Sequence, residues 1–120
     1  MFNILRDIIY MYWEEIMKEY IIVTTLCNKK EVADKIIDSL LEKNLVAGAQ
    51  VTEVYSKYWW ENKIDEEKEF KLEFRTKKEL FSEIEYEIKK LHDYYVSEIS
   101  SVKIEKASKE FLDWIDETTK

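Results

Sequence analysis

The 120-residue chain has no proline, one glycine (Gly48), one cysteine (Cys27) and one histidine (His92), and each scarcity removes a class of protein. Without Pro and Gly there is no collagen-like repeat, no flexible Gly/Ser linker and no Pro-rich recognition segment. One cysteine forms no disulfide within the chain, and one Cys with one His builds no structural zinc cluster, so a reducing, cytoplasmic setting is the default expectation. A lone glycine makes no phosphate cradle, and no Cys-x-x-Cys, His-Glu-x-x-His or dinucleotide fingerprint occurs. Positive charge is also short. Nineteen Lys and Arg stand against 26 Asp and Glu, for a formal net charge of −7 spread along the chain, which makes nucleic acid a poor first partner. No run reaches the roughly 18 uninterrupted apolar residues of a membrane span, so an integral membrane protein is not expected. The opening segment lacks a basic leader and a small-residue cleavage site and carries Asp7, Glu14 and Glu15, which argues against an export signal.

What the chain does have is apolar bulk. Hydrophobic residues make up 46% and aromatic residues 14%, enough for one folded domain. Phe2, Leu5, Ile9, Tyr12 and Ile16 recur at alternating spacings of three and four, which predicts an amphipathic helix from residue 2 to about 18, an N-terminal extension over residues 1–19. From Tyr20 the pattern changes to Ile21-Ile22-Val23-Thr24-Thr25-Leu26, a β-branched run suited to a buried strand. Asn28 with Glu31 carries helix-start spacing, and Val32, Ile36, Ile37, Leu40 and Leu41 mark a helical face to about Lys43. Strand formers fill 45–60, the polar Glu61-Asn62-Lys63 forms a turn, and Phe70, Leu72 and Phe74 alternate with Lys71, Glu73 and Arg75 in a half-buried strand. Thr76 with Glu79 repeats the capping spacing ahead of a helix carrying Leu80, Ile84, Ile88 and Leu91. Val96, Val102 and Ile104 mark a fourth strand with a bulge at Ile99, and Ser108 caps a closing helix.

The order from Tyr20 is β-α-β-β-α-β plus a C-terminal helix, the α+β, ferredoxin-like arrangement, over residues 20–120. Its central hairpin is too long for the globule. A strand of about 15 residues spans about 50 Å, whereas a compact domain of this size is about 35 Å across. The hairpin therefore projects, and its aromatic end, Tyr55, Tyr58, Trp59 and Trp60, calls for pairing with another subunit. The N-terminal stripe likewise needs cover, expected from the chain's own assembly, with a protein partner or a membrane surface as alternatives.

Tyr58-Trp59-Trp60-Glu61-Asn62-Lys63-Ile64, then Glu69, Arg75-Thr76, His92-Asp93-Tyr94 and Trp114, in this order and spacing, resemble the CutA-type divalent-ion tolerance family over residues 20 to 118. That resemblance implies a non-enzymatic, intertwined homotrimer associated with tolerance of copper and other divalent metals. It also implies an architectural likeness to trimeric PII signalling proteins, and hence a second reading as a small-molecule sensor or scaffold with clefts between subunits for an anionic or zwitterionic ligand. Measured against the family pattern, Ala47-Gly48-Ala49 has glycine where cysteine is common, Thr25 and Leu91 stand for another Cys and His, and Asp93 and Ser97 replace prolines. Soft and imidazole ligands are correspondingly reduced.

Two sets of candidate residues follow. His92, Asp93 and Cys27 are the metal candidates, for copper or another divalent ion, the one cofactor class in question. His92 at a helix end also suits a structural role, and a lone Cys suits packing. Trp60, Glu61, Lys63, Glu69, Arg75 and Tyr94 are the candidates for a cleft between subunits, an aromatic wall with both charges available. Glu66 and Glu67, set among lysines, read as a solvated charged strand.

Overall fold

The computed structural model describes residues 2–94 and 97–120. Helix α1 (Phe2–Met17) precedes β1 (Tyr20–Cys27), α2 (Lys30–Glu42), β2 (Gly48–Trp60) and β3 (Lys63–Lys77). A 3-10 turn (Lys78–Leu80) leads into α3 (Phe81–Leu91), followed by β4 (Ile99–Lys103) and α4 (Lys109–Thr118). The four strands form one antiparallel sheet in the order β2-β3-β1-β4, the ferredoxin-like topology expected from the element order.

The period-two alternation of β1 and β3 sends Ile21, Val23, Cys27, Leu72 and Phe74 to one face. There they meet Ala33, Ile36 and Leu40 of α2 and Ile84 and Ile88 of α3. Each fully buried side chain of this kind contributes about 1.5–3 kcal/mol. Helix α4 lies on the opposite face at the closed end of the sheet. Its N-terminus is capped as expected, Phe111 N–H donating to Ser108 Oγ at 3.3 Å. Its Trp114 ring lies so close over Gly48 that a Cβ there would stand 3.0 Å from it, which is why the chain's single glycine begins β2. Tyr20 Oη–H donates to Asp116 Oδ2 at 2.8 Å and ties β1 to the same helix.

Several boundaries differ from the sequence expectation. Helix α2 starts after Lys29 with no side-chain cap, because the Asn28 amide donates to Glu67 Oε2 at 3.4 Å. Thr76 belongs to β3, opposite Ile21, and its hydroxyl donates to Leu45 O at 2.6 Å instead of capping α3. Strand β2 begins at Gly48, since Leu45 and Val46 are drawn into the core as a loop. Strand β4 pairs in unbroken register from Thr25↔Ile99 to Ile21↔Lys103, so Ile99 is its first residue and not a bulge. Val96, expected in that strand, lies outside the described residues, as do the side chains of Phe2, Tyr12 and Ile16 in the expected α1 stripe.

Strands β2 and β3 pair from Gly48↔Arg75 to Trp60↔Lys63. Glu61 and Asn62 close the hairpin with φ of 50° and 65°, left-handed at both positions, the two-residue turn whose twist matches the strands. Strand β1 accompanies β3 only from Lys77 to Phe70. Residues 63–69 therefore pair with β2 alone, and the hairpin projects, in a molecule of 65 × 29 × 27 Å. Its radius of gyration is 17.6 Å, against about 14 Å for a compact chain of this length.

Candidate functional site

At the root of the projecting hairpin β1, β3 and the loop after α3 meet, and His92 organises that junction. Its side chain is 1% exposed. Nε2 lies 2.6 Å from Leu26 O and Nδ1 lies 3.1 Å from the Tyr94 amide nitrogen, so the tautomer that satisfies both carries its proton on Nε2, donating to β1 and accepting from the loop. The imidazole and the Tyr94 ring are 4.6 Å apart, centroid to centroid. The histidine thus holds Tyr94 in place, and the Tyr94 hydroxyl donates to Glu69 Oε2 at 2.9 Å, with Glu67 Oε1 at 3.4 Å.

Glu67 and Glu69 are two residues apart on β3 and share a face with Tyr58 of β2, which the register sets opposite Asp65. Tyr58 Oη–H donates to Glu67 Oε1 at 2.5 Å. That hydrogen bond, with burial and the nearby carboxylates, pushes the Tyr58 phenol up to about 12. Burial, then the bond to Glu69, raises Tyr94. Both phenols are consequently neutral donors across the physiological range. Around them opens a cleft of about 870 Å³, walled by Tyr55, Tyr58, Trp59, Trp60 and Tyr94 and bearing the carboxylates of Asp65, Glu67, Glu69, Asp93 and Glu98. Lys57 is the one cationic side chain in that lining, so of the anionic or zwitterionic ligands expected for such a cleft, its charge favours one that carries a cationic group.

Of the cleft candidates, Trp60, Glu69 and Tyr94 come together here, and Asp93 joins them. Glu61 and Lys63 sit at the hairpin tip, outside the lining. Arg75 is six residues from Glu69 along β3, about 20 Å at 3.3 Å per residue. Glu67, Tyr58 and Asn28 join the cleft although the sequence pointed elsewhere for each: Glu67 to a solvated strand, Tyr58 to a subunit contact and Asn28 to a helix start. The two-residue step from Glu69 to Glu67 was the available signal.

The metal candidates do not form a ligand set within one chain. Both His92 nitrogens are engaged by backbone groups, and Asp93 Oδ1 is 3.7 Å from Nδ1. Lys29 lies 3.1 Å from the other Asp93 oxygen and lowers that carboxyl. Cys27 is fully buried, and burial, with Asp93 and Glu69 nearby, pushes its thiol up to about 11, away from the thiolate that binds metal. Among the described residues no three His, Cys, Asp or Glu side chains are grouped to hold an ion. The donors of one copy therefore do not fit a closed copper site.

Comparison with known proteins agrees with this architecture. Residues 21–118 match the family described as CutA1 divalent ion tolerance protein, so α1 precedes the matched segment. The divalent-cation tolerance protein CutA of Archaeoglobus fulgidus is 43% identical over 88 residues, covering 73% of this chain and 86% of that protein. That of Pyrococcus horikoshii is 37% identical over 100 residues, 83% of this chain and 98% of its own. The crystal structure of CutA1 from Pyrococcus horikoshii superposes with a TM-score of 0.80 at 36% identity, covering 83% of this chain and 98% of that one. CutA1 from Oryza sativa gives 0.82 at 25% identity, covering 85% and 94%.

Proposed function

The chain belongs to the CutA1 divalent ion tolerance protein family, and from that premise we propose that it works without catalysis, as a cytoplasmic homotrimer in the response to copper and other divalent cations. The observation that carries the assembly is the uncovered hairpin. Trp59 is 72% exposed, Tyr55 65% and Ile64 60%, an apolar surface that a lone chain leaves in water. Exposed aromatic patches of this kind mark interfaces. Residues 63–69 of β3 also present unpaired backbone groups along the edge where β1 has ended, a template for a strand of another copy.

Metal contact in this reading is weak and drawn from more than one copy, because His92 and Cys27 are committed to the fold and the remaining donors are carboxylates, which suit hard cations. The second reading, a PII-like sensor or scaffold with clefts between subunits, is supported by the aromatic walls and neutral phenols of the 870 Å³ cleft. Light scattering at micromolar concentration tests the assembly. Three chains of 14.6 kDa give a particle of about 44 kDa, and a 14.6 kDa particle overturns the proposal.

A further inference from the structure

Arg75 stands opposite Ile22 of β1 and Gly48 of β2, on the sheet face turned away from α2 and α3. Its Nη1 is buried and makes no hydrogen bond to any described residue. A guanidinium is always charged and carries five donors in a planar fork, so a buried nitrogen without an acceptor is costly, and native structures rarely leave one so. Glu69 has the complementary deficit. It lies on the same face and is 5% exposed, its Oε2 accepts from Tyr94, and no cationic side chain among the described residues pairs with it. A carboxylate accepts at both oxygens, so Glu69 has capacity left. Glu67, by contrast, already takes Tyr58, Tyr94 and Asn28. Asp116, whose Oδ1 is also unpartnered, has Lys18 and Tyr20 on its other oxygen.

The two groups cannot satisfy each other within one chain, since about 20 Å of strand separates them. We propose that they meet between copies: the Arg75 guanidinium of one copy forms a fork-shaped salt bridge with the Glu69 carboxylate of the next. The inference rests on the homotrimer proposed above and names a contact that holds it together. It also accounts for closure. Two different patches of opposite charge on one face make a head-to-tail contact, which a ring satisfies at every subunit. Arg75 then neutralises the deepest carboxylate of the neighbour's cleft, leaving the outer ones, Asp65 and Glu98, to face a ligand.

Charge reversal tests this. Sedimentation over a dilution series gives the concentration at which wild type, Arg75→Glu, Glu69→Arg and the double variant Arg75→Glu/Glu69→Arg dissociate. Breaking a buried pair from one side raises that concentration by about a hundredfold or more, and the double variant returns it toward wild type. The pair Arg75→Glu/Glu73→Arg, with the same charges placed elsewhere on β3, does not. A milder set, Arg75→Gln, Glu69→Gln and both together, covers variants that fail to fold, and non-additive losses there support the bridge. Unaltered trimers in the single variants, additive losses in the milder set, or equal rescue by Glu73→Arg overturns it. A wild-type monomer overturns the assembly itself, a separate outcome seen before any variant is made.

Discussion

Replacing His92 by Phe separates its hydrogen bonds from its packing, because a phenyl ring has about the volume of an imidazole and keeps the face that lies 4.6 Å from Tyr94. What disappears is the pair of backbone contacts, Nε2–H to Leu26 O and Tyr94 N–H to Nδ1. Each leaves a buried or half-buried backbone group without its partner, at about 1–3 kcal/mol apiece. The Tyr94 amide is nearer solvent and falls at the low end, so the sum expected is about 2–4 kcal/mol. For a chain of this length 1 kcal/mol moves the melting temperature by about 4 °C, so His92→Phe should melt about 8–16 °C below wild type at matched protein concentration. Circular dichroism on heating gives that shift. Calorimetry with Cu(II) on the same samples should show no change in affinity, because the imidazole has no lone pair to spare. A melting temperature equal to wild type, accompanied by an affinity loss of about tenfold (about 1.4 kcal/mol), would refute the reasoning and make His92 a ligand.

Glu87 accepts from Lys43 at 2.6 Å and from Lys90 at 3.0 Å, contacts that lower its carboxyl from 4.5 to about 2. An acid depressed on folding stabilises above its ordinary value, and that contribution fades as pH falls from about 4.5 toward 2, so urea midpoints of Glu87→Gln should depend less on pH across that window than those of wild type. Phe74 is fully buried between the sheet and both core helices, and Phe74→Ala should cost about 3–5 kcal/mol in urea unfolding; a loss below about 1 kcal/mol would place the core elsewhere. Deleting residues 1–17 should lower the melting temperature of the assembly, since Ile4, Leu5, Ile8 and Ile9 are exposed on the single chain and require cover. Unchanged melting together with lost liposome binding would instead make α1 a membrane-docking helix.

Periodicity makes the framework legible in the amino-acid sequence. The 3.6-residue stripes of α2 and α3, the β-branched run of β1 and the alternation of Leu72 and Phe74 all survive because burial enforces them. The hairpin was legible from length, and its turn from one polar triplet. Ser108 was legible as the cap of α4, but the other two caps were not, because Asn28 and Thr76 each have a tertiary acceptor, Glu67 and Leu45 O, that local spacing cannot reveal. The start of β4 was missed for a related reason: its register follows from β1, a partner far away in sequence. At the site, Trp60, Glu69 and Tyr94 could be named only through the family motif that they match. Glu67 could not, since an acidic residue amid lysines reads as solvated until Tyr58, Tyr94 and Asn28 are seen to converge on it. Nor does proximity in a motif give reach, as the distance from Arg75 to Glu69 shows.

Cys27 ends β1 opposite Phe70, at the point where the hairpin leaves the body of the sheet. Fully buried and protonated, it resists alkylation while that junction is closed, and no other thiol in the chain competes with it. Its labelling rate is consequently a clock for one event, the parting of β1 from β3 at the hairpin's root. If that parting is internal to each subunit, the clock runs at the same speed however dilute the sample. If the neighbouring copy must first let go, it slows as protein is added, and a single sulfur reports how tightly the subunits are latched.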